Sequence, residues 1–188
     1  MARPNGFDSR PVGLEQRVKK TVLALSCALL VALVSPLRAE DHTLVKFDGG
    51  IGVIPVSNVA VNATTGAVTV TRNVVRGINS PGQIWVIDRL KANIDTDGRI
   101  KAAGRGLLLG GGNNIGLNGG QSVIATLICD AAGTQLFTTS TPVPLDAAGD
   151  FEIDDTLSPV PSACASPVLL IRNGTGAVWF AAGILKLN

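Results

Sequence analysis

The chain has 188 residues, of which 46% are hydrophobic and 16% charged, with 16 Lys/Arg, 14 Asp/Glu, one His and a formal charge of +2. That length suits a single domain with a real core. Three Cys, two Trp and no Tyr exclude a basic surface studded with stacking aromatics of the kind that holds nucleic acid.

Residues 1–39 read apart from the rest. Lys19 and Lys20 lead into TVLALSCALLVALV (Thr21 to Val34), an uncharged apolar run closed by Pro36 and Arg38. This is the plan of a signal peptide, helical through its apolar part, with cleavage expected after Ala39. Fourteen residues fall short of the ~20 that span a bilayer as a helix, so no stable membrane span is expected after cleavage. Cys27 sits in the middle of the run, whereas a lipid-bearing Cys would end it. Without residues 1–39 the chain keeps ten Lys/Arg (16 less six) and twelve Asp/Glu (14 less two), so the balance turns to about −2. An exported destination follows: periplasm, cell surface or medium.

From residue 40 to 188 the chain is rich in Val, Ile, Thr, Gly and Asn, with turn clusters every 8 to 15 residues. The expected fold is all-β, a single antiparallel sandwich of Ig-like or Greek-key type with about eight or nine strands. Expected strands are Thr43 to Phe47, Ala67 to Val75, Ile84 to Ile94, Arg99 to Leu109, Val123 to Cys129, Gln135 to Thr139, Phe151 to Asp154, Val168 to Arg172 and Ala177 to Leu185. FDGG, NATTG, INSPG, GGGNNIGLNGG, DAAG, LDAAGD and RNGTG between them are turn chemistry. Cys129 and Cys164, an even pair in an exported chain, read as one disulfide.

NIDTDGRIKAAG (93 to 104) carries two readings. As a calcium loop, Asn93, Asp95 and Asp97 would supply ligands at positions 1, 3 and 5, with Gly98 and Ile100 correctly placed, and Ser80-Pro81-Gly82-Gln83 could cap an entering helix. Position 12 is Gly104, which has no ligand oxygen. As a hairpin, a three-residue loop Thr96-Asp97-Gly98 sets Ile94 opposite Ile100 and Ala92 opposite Ala102, with Asp95 facing Arg99. The hairpin uses the residues better and is preferred. Its other face would carry Arg89, Lys91, Lys101 and Arg105, a solvated stripe or a face for an anionic ligand such as an acidic polysaccharide or lipid headgroup.

Catalytic residues are not assigned. The lone His42 lies near the expected mature terminus, no Gly-x-Ser-x-Gly elbow occurs, and the glycine tract lacks phosphate-loop spacing. Asp146, Asp150, Glu152, Asp154 and Asp155 form one carboxylate cluster, of which Asp150, Glu152 and Asp154 would share an outer strand face, with Phe151 and Ile153 inward. No metal or cofactor is expected.

FDGGIGVIPVSN (47 to 58), RGINSPGQIWVI (76 to 87), GLLLGGG (106 to 112), ATLIC (125 to 129), GDFEID (149 to 154), PSACASPVLLIRN (161 to 173) and WFAAGI (179 to 184) resemble a group of uncharacterised, exported bacterial β-rich proteins with a C-terminal WFAAGI-type strand. The resemblance implies a compact β-sandwich with one disulfide, and no activity, cofactor or site. The expected role is a non-enzymatic envelope or extracellular module that binds a protein or glycan or serves structurally. The alternative is a secreted hydrolase working through carboxylates.

Overall fold

The computed structural model describes residues 42–130, 135–139 and 141–187, so the expected signal segment, with Cys27, lies outside the described residues. The strands are Thr43–Gly52 (β1), Val56–Val61 (β2), Val68–Arg72 (β3), Val74–Val75 (β4), Ile78–Asn79 (β5), Trp85–Val86 (β6), Arg89–Asp95 (β7), Arg99–Arg105 (β8), Leu108–Leu109 (β9), Ser122–Cys129 (β10), Gln135–Thr138 (β11), Val143–Pro144 (β12), Phe151–Thr156 (β13), Val168–Asn173 (β14) and Trp179–Leu185 (β15). No helix occurs among the described residues.

Nine strands form one antiparallel sheet in the order β11-β10-β14-β15-β1-β7-β8-β13, with β12 also on β10. The sheet curls as a half-barrel, which makes the fold sandwich-like, and β2 with β3, β4 with β5 and β6 with β9 form separate two-stranded pairs. Beyond β13 the chain returns to the opposite edge, where Thr138 and Ser158 exchange both backbone hydrogen bonds at 3.0 Å. Strand edges that would otherwise meet solvent are thereby partly covered.

Alternation explains the β7–β8 hairpin. Leu90, Ala92 and Ile94 are buried on β7, and Ile100, Ala102 and Gly104 on β8, while Arg89, Lys91, Arg99, Lys101 and Arg105 are exposed. Ile94 stands opposite Ile100 and Ala92 opposite Ala102. The connection is Thr96-Asp97-Gly98, with Gly98 at φ +85°, a left-handed position where a side chain would be strained. Leu90, Ile94 and Ile100 are fully buried, each contributing about 1.5–3 kcal/mol through area removed from water.

Three expectations need correction. Ile84 to Ile94 is not one strand. Trp85 is buried while Ile84 and Val86 are exposed, and the run breaks at Ile87-Asp88 before β7. Asp88, the one polar residue out of phase, marks that break. Arg99 to Leu109 also divides, at Gly106 (φ +67°), whose N–H donates to Asp150 Oδ1 at 3.0 Å. Ala67 to Val75 likewise divides, at Asn73, into β3 and β4. On β15, Trp179, Phe180 and Ala181 are buried in succession.

That continuous burial has a physical cause, because the excursion between β1 and β7 lies against β15. Trp85 stacks on Phe180, with ring centroids 4.1 Å apart and planes 19° from parallel. Val53 N–H donates to the Phe180 carbonyl at 3.0 Å, and Asn79 bridges Val178. Cys129 and Cys164 are joined by a disulfide. Close by, the Arg76 guanidinium donates to the carbonyls of Asp130 (2.7 Å) and Ser166 (3.2 Å). No helix among the described residues is long and apolar enough to cross a membrane.

Candidate functional site

The exposed face of β1, β7, β8 and β13 gathers most of the charge that the sequence singles out. Pairing dictates the gathering. Lys46 on β1 stands opposite Asn93 on β7, Asn93 opposite Lys101 on β8, and Lys101 opposite Asp154 on β13. In the next row Asp48 stands opposite Lys91, Lys91 opposite Ala103, and Ala103 opposite Glu152. One row further, Arg89 faces Arg105. Ala103, too short to fill its place, leaves a shallow hollow of about 810 Å³ among longer neighbours, lined by four Lys (46, 91, 101, 186) and three carboxylates (Asp48, Glu152, Asp154).

Ion pairs satisfy much of the face. Arg105 contacts Asp150 at 2.8 Å and Glu152 at 3.2 Å, Lys101 contacts Asp154 at 3.4 Å, and Asp48 sits between Lys186 (3.6 Å) and Lys91 (3.9 Å). These pairs are exposed, where each contributes about 0–1 kcal/mol, so they order the face more than they stabilise the fold. Of the four residues read as an anionic-ligand stripe, Arg89, Lys91, Lys101 and Arg105 do share one face, but three of them already hold carboxylates. Arg89, and Lys46 from β1, have no ion pair among the described residues.

The floor differs from the rim. Asn93 donates from Nδ2 to Asp95 Oδ1 at 2.9 Å, while its Oδ1 is buried without a hydrogen-bond partner. An acceptor buried in this way costs about 1–3 kcal/mol unless a donor reaches it. Lys46 and Lys101 flank it in the same row.

Asn93, Asp95 and Asp97, the residues of the calcium reading, lie at the end of this hairpin. Asp97 Oδ1 accepts from the Arg99 backbone N–H at 3.1 Å and its Oδ2 pairs with Arg99 Nε at 2.9 Å, so both oxygens serve the turn. No cluster of three or more His, Cys, Asp or Glu side chains suited to a metal occurs among the described residues.

Glu152 and Asp154 of β13 lie outward as expected, with Phe151 and Ile153 buried, whereas Asp155 falls on the inward side opposite Ile100 and is half-buried. Asp150 is held below the usual carboxylate range, first by the Gly106 backbone N–H and then by Arg105. Arg105 is pushed up in turn, chiefly by its hydrogen bond to Asp150. A carboxyl so stabilised as an anion is poorly suited to donate a proton. Asp146 caps the preceding turn, accepting from Ala148 (2.9 Å) and Asp150 (2.8 Å). His42 is exposed, and its carbonyl accepts from Thr96 N–H at 2.7 Å.

Sequence reasoning missed Lys46, Asp48 and Lys186, because which strands neighbour the hairpin is not written locally. The signal that was available is the alternation in Leu44-Val45-Lys46-Phe47-Asp48, which puts Val45 and Phe47 inward and the two charges outward. No protein-family model, curated protein or solved structure matches the chain, so the case for a function rests on the chemistry of this face.

Proposed function

We propose that the chain is an exported, non-enzymatic β-sandwich protein of the cell envelope or extracellular space, and that it works by contact through the hollow on β1, β7, β8 and β13. The ligand class is a hydroxyl-rich chain bearing carboxylates, an acidic saccharide. The observation that carries this is Lys46, which has no ion pair among the described residues and shares the hollow with Lys91, Lys101 and Lys186. Lys46, which has no carboxylate of its own, receives the ligand's acid group. The disulfide and the signal-like segment at residues 1–39 support export. The lowered pKa of Asp150 makes it unfit to be the proton donor of a carboxylate hydrolase.

Titration calorimetry with polygalacturonate, and with neutral dextran as its uncharged counterpart, tests the reading. Binding to the acidic polymer weakens with salt, and Lys46→Ala with Asn93→Ala lowers affinity roughly tenfold or more, since a hydrogen bond to a charged group contributes about 1.5–3 kcal/mol. Equal affinity for both polymers, or a variant that binds like the wild type, overturns it.

A further inference from the structure

On the exposed face of β7 and β8, Arg89 stands directly opposite Arg105, and like charges so placed repel. Arg105 relieves the repulsion by leaning to β13, where it holds Asp150 at 2.8 Å and Glu152 at 3.2 Å. Arg89 has no such outlet. Its chain neighbour Asp88 lies against Gly106 instead, and no carboxylate pairs with Arg89 among the described residues. The side chain is exposed and stands just outside the hollow, whose nearest lining residue is Lys91, two positions along β7.

Two cations on this face therefore lack a carboxylate, Lys46 on β1 and Arg89 on β7. Register gives their separation. Lys46 pairs with Asn93 on the next strand, and Arg89 lies four residues along β7 from Asn93. At ~4.8 Å between strands and ~3.4 Å per residue, the two Cα atoms are about 14 Å apart. Lys91 lies between them on the same face. The direction across the strands is closed to an anion, because Glu152 and Asp154 on β13, with side chains 75% and 74% exposed, form a negative margin.

We infer that Arg89 is a second anchoring point for the ligand of the hollow, which runs lengthwise along β7 from Lys46 over Lys91 to Arg89. The inference rests on the reading of the hollow as a site for an acidic saccharide. Charge spacing then decides what kind. One acid group reaches both cations only if two long side chains lie flat over Lys91, whereas a polymer with an acid on each unit meets them where they stand. Once Lys46 holds one acid group, the next contact along the same chain forms at high effective concentration. The site is therefore selective for a chain over a short saccharide.

Titration calorimetry at low salt, with a galacturonate dimer too short for the span and an octamer that exceeds it, tests this. The proteins are wild type, Lys46→Ala, Arg89→Ala, Arg89→Lys and Arg72→Ala. Arg72 is exposed on the separate β2–β3 hairpin, so its removal takes away the same charge from another part of the surface. Arg89→Ala is expected to weaken octamer binding roughly two- to fivefold, the size of one exposed ion pair, and to leave the dimer unchanged. Lys46→Ala weakens both, Arg89→Lys binds the octamer as the wild type does, and Arg72→Ala weakens neither. Three results overturn the inference and leave the hollow as the site: octamer binding by Arg89→Ala at wild-type strength, an equal loss for the dimer, or an equal loss in Arg72→Ala. A wild type that binds neither oligomer overturns the proposed function along with it.

Discussion

Trp85 on β6 lies flat against Phe180 on β15, with ring centroids 4.1 Å apart, and both rings are buried. Offset stacks of this kind add about 0.5–1.5 kcal/mol beyond the area they bury. The pair fastens the excursion between β1 and β7 to the main sheet. Trp85→Ala is expected to cost about 3–5 kcal/mol by urea unfolding, and a loss below 1 kcal/mol would mean that the excursion is held elsewhere.

Gly104 stands opposite Phe151, and a Cβ at Gly104 would collide with that ring. Gly104→Ala should destabilise by about 1–3 kcal/mol. Phe151→Leu removes the obstacle, so the double variant should be more stable than the two single losses predict. Strict additivity in that cycle would show that the collision is not the cause.

Cys129 and Cys164 are 35 residues apart in sequence. On the chain-entropy account, opening that loop releases about 4 kcal/mol of restriction on the unfolded chain. Cys164→Ser is therefore expected to lower the urea midpoint markedly without adding to exposed-thiol reactivity, because Cys129 is buried.

Asp150, with its pKa lowered by Gly106 and Arg105, contributes stability that is present above the ordinary aspartate range and lost as pH falls through its lower folded value. Asp150→Asn should flatten the acid limb of a stability profile below the ordinary carboxylate range and leave the profile above neutrality with the same slope. An unchanged acid limb would assign it to other carboxylates.

Millimolar calcium should leave the melting temperature where a chelator leaves it, because the Asp97 oxygens are already committed to Arg99. A ligand that binds only the folded state must raise that temperature. A rise abolished by Asp95→Ala would restore the calcium reading of this loop.

The all-β class, the disulfide and the β7–β8 register were legible because each depends on local pattern: period-two burial, an even cysteine pair and an odd-numbered turn. The hollow was half legible. Lys91 and Lys101 follow from the hairpin alone, whereas Lys46 on β1 and Lys186, just past β15, are brought in by long-range strand pairing. β3 fell within the expected strand Ala67 to Val75, but its partner β2 escaped notice because Val59 and Val61 belong to no buried face, and strands are usually recognised by burying one. The mirrored spacing of Val59 and Val61 against Val68 and Val70 around Asn62-Ala63-Thr64-Thr65-Gly66 was its visible trace. Ile84 to Ile94 was misread because its apolar alternation continues across a break that only Asp88 betrays.

Pro55 and Asn73 are hydrogen-bonded to each other where the β2–β3 hairpin, an arm that pairs with no other strand, begins and ends. Seventeen residues (56–72) therefore leave and re-enter the fold through a gap that one bond already spans. The arm is a cassette: shortening, lengthening or exchanging it leaves the curled sheet and its charged hollow untouched. Change over evolutionary time can accumulate there at little cost to folding, and a protein engineer could graft a recognition hairpin onto the same two residues.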